Sequence, residues 1–354
     1  MTGPRRIAIA MSGGVDSSVA AALLAEQGED VFGVMMRLWS ANPDSSNRCC
    51  SPSDVTNARQ MASQIDIPFY VLDAKGAFKE AVVDAFIDGY TQGITPNPCI
   101  ECNRSVRWGF LLQQALAIGA SHLATGHYAQ LKYHDGAYHL FRGHDRSKDQ
   151  SYVLYTLSQL DLDRTLFPLG QLTKQEVRAH ATRLDLPVAD RPDSQDLCFV
   201  TSKDYRTFLG EQAVDLPPPG QIVDLQGNVI GEHTGLAAFT IGQRKGIGIA
   251  SSSALYVLAK DLSTNRLVVG PRMALERSEF DVHSVNWIAD APEQSIEVQV
   301  QIRYKTKPVS AEVHPLTDKC SHVILKTSLP DITPGQSAVF FDHDEVLGGG
   351  IISV

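Results

Sequence analysis

The N-terminal run Ile7-Ala8-Ile9-Ala10, followed by Met11-Ser12-Gly13-Gly14-Val15-Asp16-Ser17-Ser18 and an Ala/Leu-rich stretch, constrains the chain more than any other segment. An apolar strand passes through two glycines straight into a helix. That junction gathers backbone N–H groups, the positive end of a helix dipole and serine hydroxyls at one point, a setting suited to a di- or triphosphate. No Gly-Lys-Ser/Thr closes the loop as in a Walker motif, and Gly-x-Gly-x-x-Gly is absent. Phosphate charge must therefore be neutralised from elsewhere, for which Mg2+ is the expectation. The competing reading is a glycine turn that merely joins strand to helix, and Asp16 reads equally as a magnesium neighbour or a brace of the loop.

Downstream, short apolar runs alternate with helical patterns, the order of a parallel sheet covered by helices. Strands are expected at Arg6 to Ala10, Val31 to Trp39, Phe69 to Ala74 and His122 to His127, with helices at Ser17 to Gln27, after Ser51-Pro52, at Phe78 to Tyr90 and at Val106 to Ile118. Period-two alternation over Gln130 to Arg142 around Asp135-Gly136 reads as a hairpin. Helical stretches resume at Gln150 to Ser158 and Thr173 to Leu184, and Thr173 and Glu176 have the spacing of a capping box. After Pro217-Pro218-Pro219-Gly220 the texture becomes short strands and turns to the C-terminus. The 354 residues suit two or three domains. The division expected is 1–205, an α/β parallel-sheet nucleotide domain; 206–275, a small β-rich central domain; and 276–354, a C-terminal β-barrel.

A net charge of -9 argues against wrapping nucleic acid by bulk electrostatics, so any RNA contact has to be local. No apolar run approaches the roughly 20 residues needed to cross a bilayer, which points to a cytoplasmic address without a membrane partner. Six cysteines, Cys49, Cys50, Cys99, Cys102, Cys198 and Cys320, are too few for a disulfide framework and direct attention to catalysis or metal. Cys320 reads as packing, and Cys49 and Cys50 as packing or a redox accessory.

The loop Ser12-Gly13-Gly14-Val15-Asp16-Ser17-Ser18 resembles the pyrophosphate loop of the ATP pyrophosphatases, which cleave ATP between the α and β phosphates and activate an oxygen as its adenylate. Thr95-Pro96-Asn97-Pro98-Cys99-Ile100-Glu101-Cys102-Asn103 and Asp193-Ser194-Gln195-Asp196-Leu197-Cys198-Phe199 resemble, more narrowly, the tRNA-specific 2-thiouridylase family. Matches at Ala124 to Tyr128, Lys148 to Tyr152, Ile241 to Gly246, Arg303-Tyr304 and Thr333 to Ala338 extend the resemblance over nearly the whole chain. It implies ATP-dependent 2-thiolation of the wobble uridine, with ATP held by Ala10, Met11, Ser12, Gly13, Gly14, Val15, Asp16 and Ser17 and its adenosine by Met35 and Gly126. It also implies a persulfide on Cys198 received from a sulfur donor such as a cysteine desulfurase or relay protein, with Cys102 as its catalytic partner and a disulfide between the two. RNA contacts are implied at Asn97, Pro98 and Cys99, at Lys148, Asp149 and Gln150, and at Arg303 and Tyr304.

The chemistry is consistent with those residues: exchanging a carbonyl oxygen for sulfur needs an activated oxygen and a thiolate or persulfide nucleophile. Cys102 is expected just ahead of a helix, beside Arg104 and Arg107, where its thiolate would be favoured. Buried packing is the competing reading for Cys102 and Cys198. Arg303, Lys305 and Lys307 are expected to alternate along one strand, either meeting phosphates or protecting a sheet edge. Many family members carry aspartate where this chain has Cys99, and that acid is cast as the group acting on the target base. The replacement moves the role to Asp196 or a water, and it opens an alternative in which Cys99, Cys102 and Cys198 hold an iron-sulfur cluster. Two further alternatives are a ligase of the same superfamily acting on a small metabolite and a nucleotide-binding redox sensor.

Overall fold

Ile7, Ala8 and Ile9 have no exposed surface, as a strand covered on both faces requires. Their strand, β1 (Arg6–Ala10), is central to a parallel sheet with β2 (Asp30–Arg37), β3 (Phe69–Asp73) and β4 (His122–Ala124). A hairpin, β5 (Ala129–His134) and β6 (Ala137–Arg142), precedes the last sheet strand, β7 (Thr165–Leu166), giving the order β3-β2-β1-β4-β7. The structure is a computed structural model describing residues 4–41, 52–187, 197–200, 204–212, 216–317, 319–330 and 332–353. Cys49, Cys50 and Asp193 to Asp196 lie outside the described residues.

The hairpin turns at Asp135 (φ 49°) and Gly136 (φ 83°), the two left-handed positions that its Asp-Gly pair announces. The capping box at Thr173 and Glu176 is present in full at the head of helix Lys174–Arg183. Other expectations need correction. The strand β4 stops at Ala124, so Thr125 to His127 leave the sheet. The helix expected from Val106 starts at Pro98, because Asn97 accepts the N–H groups of Cys99 (3.1 Å) and Ile100 (3.4 Å) and Pro98 occupies the first turn. It continues through Cys102–Leu111 with widened turns, the N–H of Leu112 reaching back five residues to the carbonyl of Arg107. The Gln150 to Ser158 stretch contains one tight turn, Ser151–Leu154.

The central unit is a sheet of β8 (Gly220–Val223), β9 (Val229–His233), β10 (Tyr256–Asp261) and β11 (Arg266–Gly270) in the order β10-β11-β8-β9. The C-terminal strands are β12 (Arg277–Trp287), β13 (Ile296–Gln301), β14 (Val309–Thr317), β15 (Cys320–Leu329), β16 (Ser337–Asp342) and β17 (Glu345–Ser353). They run β12-β15-β14-β13-β16-β17, and pairing of β12 with β17 closes a six-stranded antiparallel barrel. The segment Arg303 to Lys307 is a turn between β13 and β14 and not a strand, so the expected alternation of three cations on one face does not occur.

The barrel is fused to the first unit. The hairpin strand β6 pairs with β17, and Trp108, Tyr152 and Tyr155 share one buried cluster with Val339, Phe341 and Val346. Tyr152 donates its hydroxyl to the Ser337 carbonyl at 2.8 Å, buried where an unmet hydroxyl would cost about 1–3 kcal/mol.

Candidate active site

The phosphate loop is built from close backbone approaches. Gly13 has φ 71°, and a Cβ on it would lie 2.9 Å from the backbone oxygen of Asp54. Gly14 begins helix Val15–Glu26 without a side-chain cap, and the Ser17 hydroxyl accepts the Ser12 N–H at 3.2 Å. Gly126 packs against the start of that helix, where a Cβ would come within 2.9 Å of the Ser17 nitrogen. The side chains of Met11, Val15 and Met35 are all buried in one core cluster. Any contact of Met35 with a nucleotide therefore falls to its backbone.

Asp16 is a brace. Its Oδ1 accepts the Tyr128 hydroxyl at 2.7 Å, and both oxygens accept Lys174 Nζ at 2.8 Å. Lys174 brings to the loop the positive charge its own sequence lacks. It stands at the first position of the helix opened by the capping box, and nothing in the linear sequence connects it to Asp16.

Cys102 lies one turn inside the helix that Asn97 caps, not ahead of it. Cys198 is followed by Phe199, which is 1% exposed and has ring centroids 5.9, 5.3 and 5.3 Å from Phe78, Phe86 and Phe208. Both cysteines are half-buried against this same aromatic cluster, which therefore brings together residues far apart in sequence. Arg104 bonds Glu101 at 2.5 Å, while Arg107 Nη1 donates to Asn103 Oδ1 and to His127 Nε2, each at 2.9 Å. Because a guanidinium only donates, Nε2 accepts, and the His127 proton sits on Nδ1 facing Thr125 Oγ1 at 2.8 Å. Burial, and then the Arg107 charge, push the His127 pKa well below its ordinary value and keep the ring neutral. This buried chain ties the cysteine helix to the loop after β4.

Cys99 is exposed and apart from that cluster, and among the described residues no three His, Cys, Asp or Glu side chains converge to hold a metal. The donor set for a three-thiolate iron-sulfur cluster is thus not assembled by these residues.

The residues implied for RNA are mostly engaged in structure. The Asn97 carbonyl oxygen caps its helix, Pro98 is buried, and Gln150 Oε1 accepts the Tyr128 N–H at 3.1 Å. Asp149 pairs with Arg142 at 2.9 Å and accepts the N–H groups of Gly143 and Ser151 at 3.0 and 3.1 Å. Arg142 passes the connection to Gln301 at 3.2 Å, whose amide donates to the carbonyls of Arg303 and Tyr304. Arg303 bonds Thr333 at 2.5 Å, and the following loop grips Thr95: its N–H donates to Pro334 at 3.0 Å and its carbonyl accepts Gln336 Nε2 at 2.8 Å. Burial, then the Asp149 carboxylate and Cys99, push the Tyr304 phenol up to about 12. Cys99, Asp149 and Tyr304 consequently share one neighbourhood, with half-buried Lys148 next in the chain. Sequence reasoning missed Arg142 and Lys174, and it named Arg107, His127 and Gln336 within motifs without the bonds they make here.

Three family profiles match the chain: a tRNA methyl transferase HUP domain over residues 5–202, a tRNA methyl transferase PRC-barrel domain over 206–271 and an aminomethyltransferase beta-barrel domain over 277–352. Among solved structures, a 4-thiouridine synthetase in complex with RNA and bound ATP is similar at a TM-score of 0.38 and 15% identity, covering 59% of this chain and 50% of the other. The tRNA-specific 2-thiouridylase MnmA of Magnetococcus marinus is 46% identical over 99% of this chain and 100% of its own length. That of Clostridium perfringens is 43% identical over 98% of both. With a glycine phosphate loop braced by Asp16, two cysteines on one aromatic cluster and this likeness over the full length of its relatives, the chain belongs to the tRNA-specific 2-thiouridylase family.

Proposed function

We propose that the chain replaces the C2 oxygen of the wobble uridine of tRNA by sulfur in two half-reactions. ATP lies with its phosphates on Ala10 to Ser17, and Lys174 and the first helical turn answer their charge. The uridine oxygen attacks the α-phosphorus, pyrophosphate leaves with the bonding electron pair, and the base loses its N3 proton. Mg2+ would add neutralisation at the same phosphates, with Asp16 as the nearest carboxylate on the loop.

In the second half, the terminal sulfur of a Cys198 persulfide attacks C2 and AMP departs. The Cys102 thiolate then attacks the Cys198 sulfur, releasing the thiouridine and leaving a Cys102–Cys198 disulfide that an external thiol reduces. The shared packing of Cys102 and Cys198 on one aromatic cluster is the observation that carries this reading. Residues 1–205 supply the chemistry, while 206–275 and 276–354 support the tRNA, the latter through Arg303, Tyr304 and the loop that grips Thr95. A wobble base is already in a single-stranded loop, so exposing its oxygen is cheap. The sulfur comes from a cysteine desulfurase or a relay protein in the cytoplasm; among the described residues no helix is long and apolar enough to cross a membrane.

The test is to mix the protein with ATP, a desulfurase, cysteine and bulk tRNA, then digest the tRNA for mass analysis of its nucleosides. The expected result is 2-thiouridine from metal-free protein, its loss in Cys102→Ala and Cys198→Ala with ATP and tRNA binding intact, and its retention in Cys99→Asp. Activity that appears only with bound iron would overturn the persulfide. ATP binding without pyrophosphate release would instead favour a redox sensor.

A further inference from the structure

Arg107 is a half-buried cation whose bonding partners are both neutral. Its Nη1 is held by Asn103 Oδ1 and His127 Nε2, each at 2.9 Å, and among the described residues no carboxylate pairs with it. Arg142 and Lys174, by contrast, are each paired with a carboxylate, Asp149 and Asp16. Both neutral acceptors are themselves fixed, since the Asn103 amide donates to the Val153 carbonyl at 3.0 Å and the His127 Nδ1–H faces Thr125. Protonating His127 would set an imidazolium against the guanidinium, so the histidine stays an acceptor. A guanidinium with only neutral protein partners keeps its full charge available to an anion that reaches its remaining donors.

The place where that anion would stand follows from the chain. His127 adjoins Gly126, whose Cα backs onto Asp16 and Ser17 of the phosphate loop, and Arg107 shares its helix segment with Cys102. Arg107 is thus tied through His127 to the loop that backs the phosphate loop, and it shares a helix segment with Cys102. Nη1 is occupied, while Nη2 and Nε remain as a two-pronged donor suited to phosphoryl oxygens.

Resting on the function proposed above, we infer that Arg107 binds the α-phosphoryl group, first in ATP and then in the uridine adenylate. When the uridine oxygen attacks the α-phosphorus and pyrophosphate leaves, charge grows on the non-bridging oxygens that Arg107 faces. When the persulfide sulfur later attacks C2, the C2–O bond breaks and AMP departs as a phosphate monoester, whose added charge meets the same donors.

Equilibrium binding of AMP and adenosine tests the contact without tRNA or sulfur. The parent should prefer AMP over adenosine by about tenfold or more, and Arg107→Ala should lose that preference while adenosine binds as before. An AMP-to-adenosine ratio unchanged by the substitution would overturn the assignment. In tRNA-dependent pyrophosphate release, Arg107→Ala should fall about 10²- to 10³-fold, with tRNA affinity kept. Arg107→Lys and added guanidinium ion should each restore part of the rate. An Arg107 that only ties helix to loop predicts instead a lowered melting temperature and no rescue. A parent protein that shows the AMP preference yet releases no pyrophosphate with tRNA would refute the proposed function and leave the phosphate contact standing.

Discussion

Replacing Gly126 by alanine tests whether the phosphate loop works through its close contact with the loop after β4. The added Cβ would lie 2.9 Å from the Ser17 nitrogen, 3.0 Å from the Asp16 carbonyl carbon and 3.2 Å from Asp16 Cβ, where ordinary contacts begin at 3.4 Å. Two of these are backbone atoms at a helix start, which cannot rotate aside, so the loop must retreat by about half an ångström. Such overpacking costs about 1–3 kcal/mol. Misplacing a reacting group by 1 Å costs up to 10²-fold in rate, so half that displacement implies roughly a tenfold loss in adenylation. Calorimetric titration with ATP and tRNA-dependent pyrophosphate release should show weaker ATP binding and the slower rate together. Gly136→Ala is the control, since it adds a Cβ in open space at φ 83° on the hairpin tip. Its left-handed strain of about 1–2 kcal/mol should lower the melting temperature without touching the rate. A Gly126→Ala protein with parental ATP affinity and parental rate would refute the reasoning.

Lys260 should be a pH-dependent liability. Burial alone pulls its pKa down to about 8, with Nζ donating to the Phe239 carbonyl at 3.1 Å and lying 5.9 Å from the Tyr90 ring centroid. The unfolded chain holds that proton more tightly, so stability rises with pH from about 8 towards 10.4, and below 8 the full penalty stands. Lys260→Met should accordingly be more stable than the parent by about 1–2 kcal/mol at pH 7, once one lost hydrogen bond is subtracted, with the gain fading near pH 10. Denaturant melts at several pH values measure this, and a pH-independent difference would count against it. Phe199→Ala should cost about 3–5 kcal/mol by emptying the ring cluster beside Cys198. It should lower thiolation more than pyrophosphate release at a temperature where the variant is folded; equal losses would show that Phe199 does not position the sulfur carrier.

What the sequence disclosed were features whose signal is local. The strand-glycine-helix junction at Ile7 to Ser18, the Asp135-Gly136 turn and the Thr173/Glu176 capping box each carry their geometry within a few residues, and each is present. Asn97-Pro98 is equally local, a cap followed by proline, but the apolar periodicity that marks a helix begins only at Val106. The false strand at Arg303 to Lys307 came from charge alternation, although a tight turn bonding Thr306 back to Arg303 suits the same residues. Contacts across 112 residues between Tyr128 and Asp16, or 158 between Lys174 and Asp16, leave no trace in spacing. Nor does the burial that makes His127 a neutral acceptor, since a histidine followed by tyrosine reads the same exposed or enclosed.

The thiol at position 99 bears on how the target base loses its N3 proton. Tyr304 feels the charges of both Cys99 and Asp149. Tyr304 stays protonated up to about pH 12, so at neutral pH the phenol donates to a base oxygen or stacks on a ring but takes up no proton. Both Asp149 oxygens are used, one on Arg142 and Ser151 Oγ, the other on two backbone N–H groups, so freeing the first would strand the Arg142 charge over the Phe341 ring and freeing the second would leave two backbone donors unmet. Neither neighbour replaces a missing aspartate as a base. Under the proposed function the N3 proton would pass to the Cys99 thiolate or to water, and the first route has a signature. Cys99→Asp supplies a stronger acid, whose carboxylate is fully formed well below the pH at which a thiol of ordinary pKa ionises. If Cys99 takes the proton, the pH dependence of pyrophosphate release should move to lower pH in Cys99→Asp and flatten in Cys99→Ser. Identical profiles in all three proteins would assign the step to water.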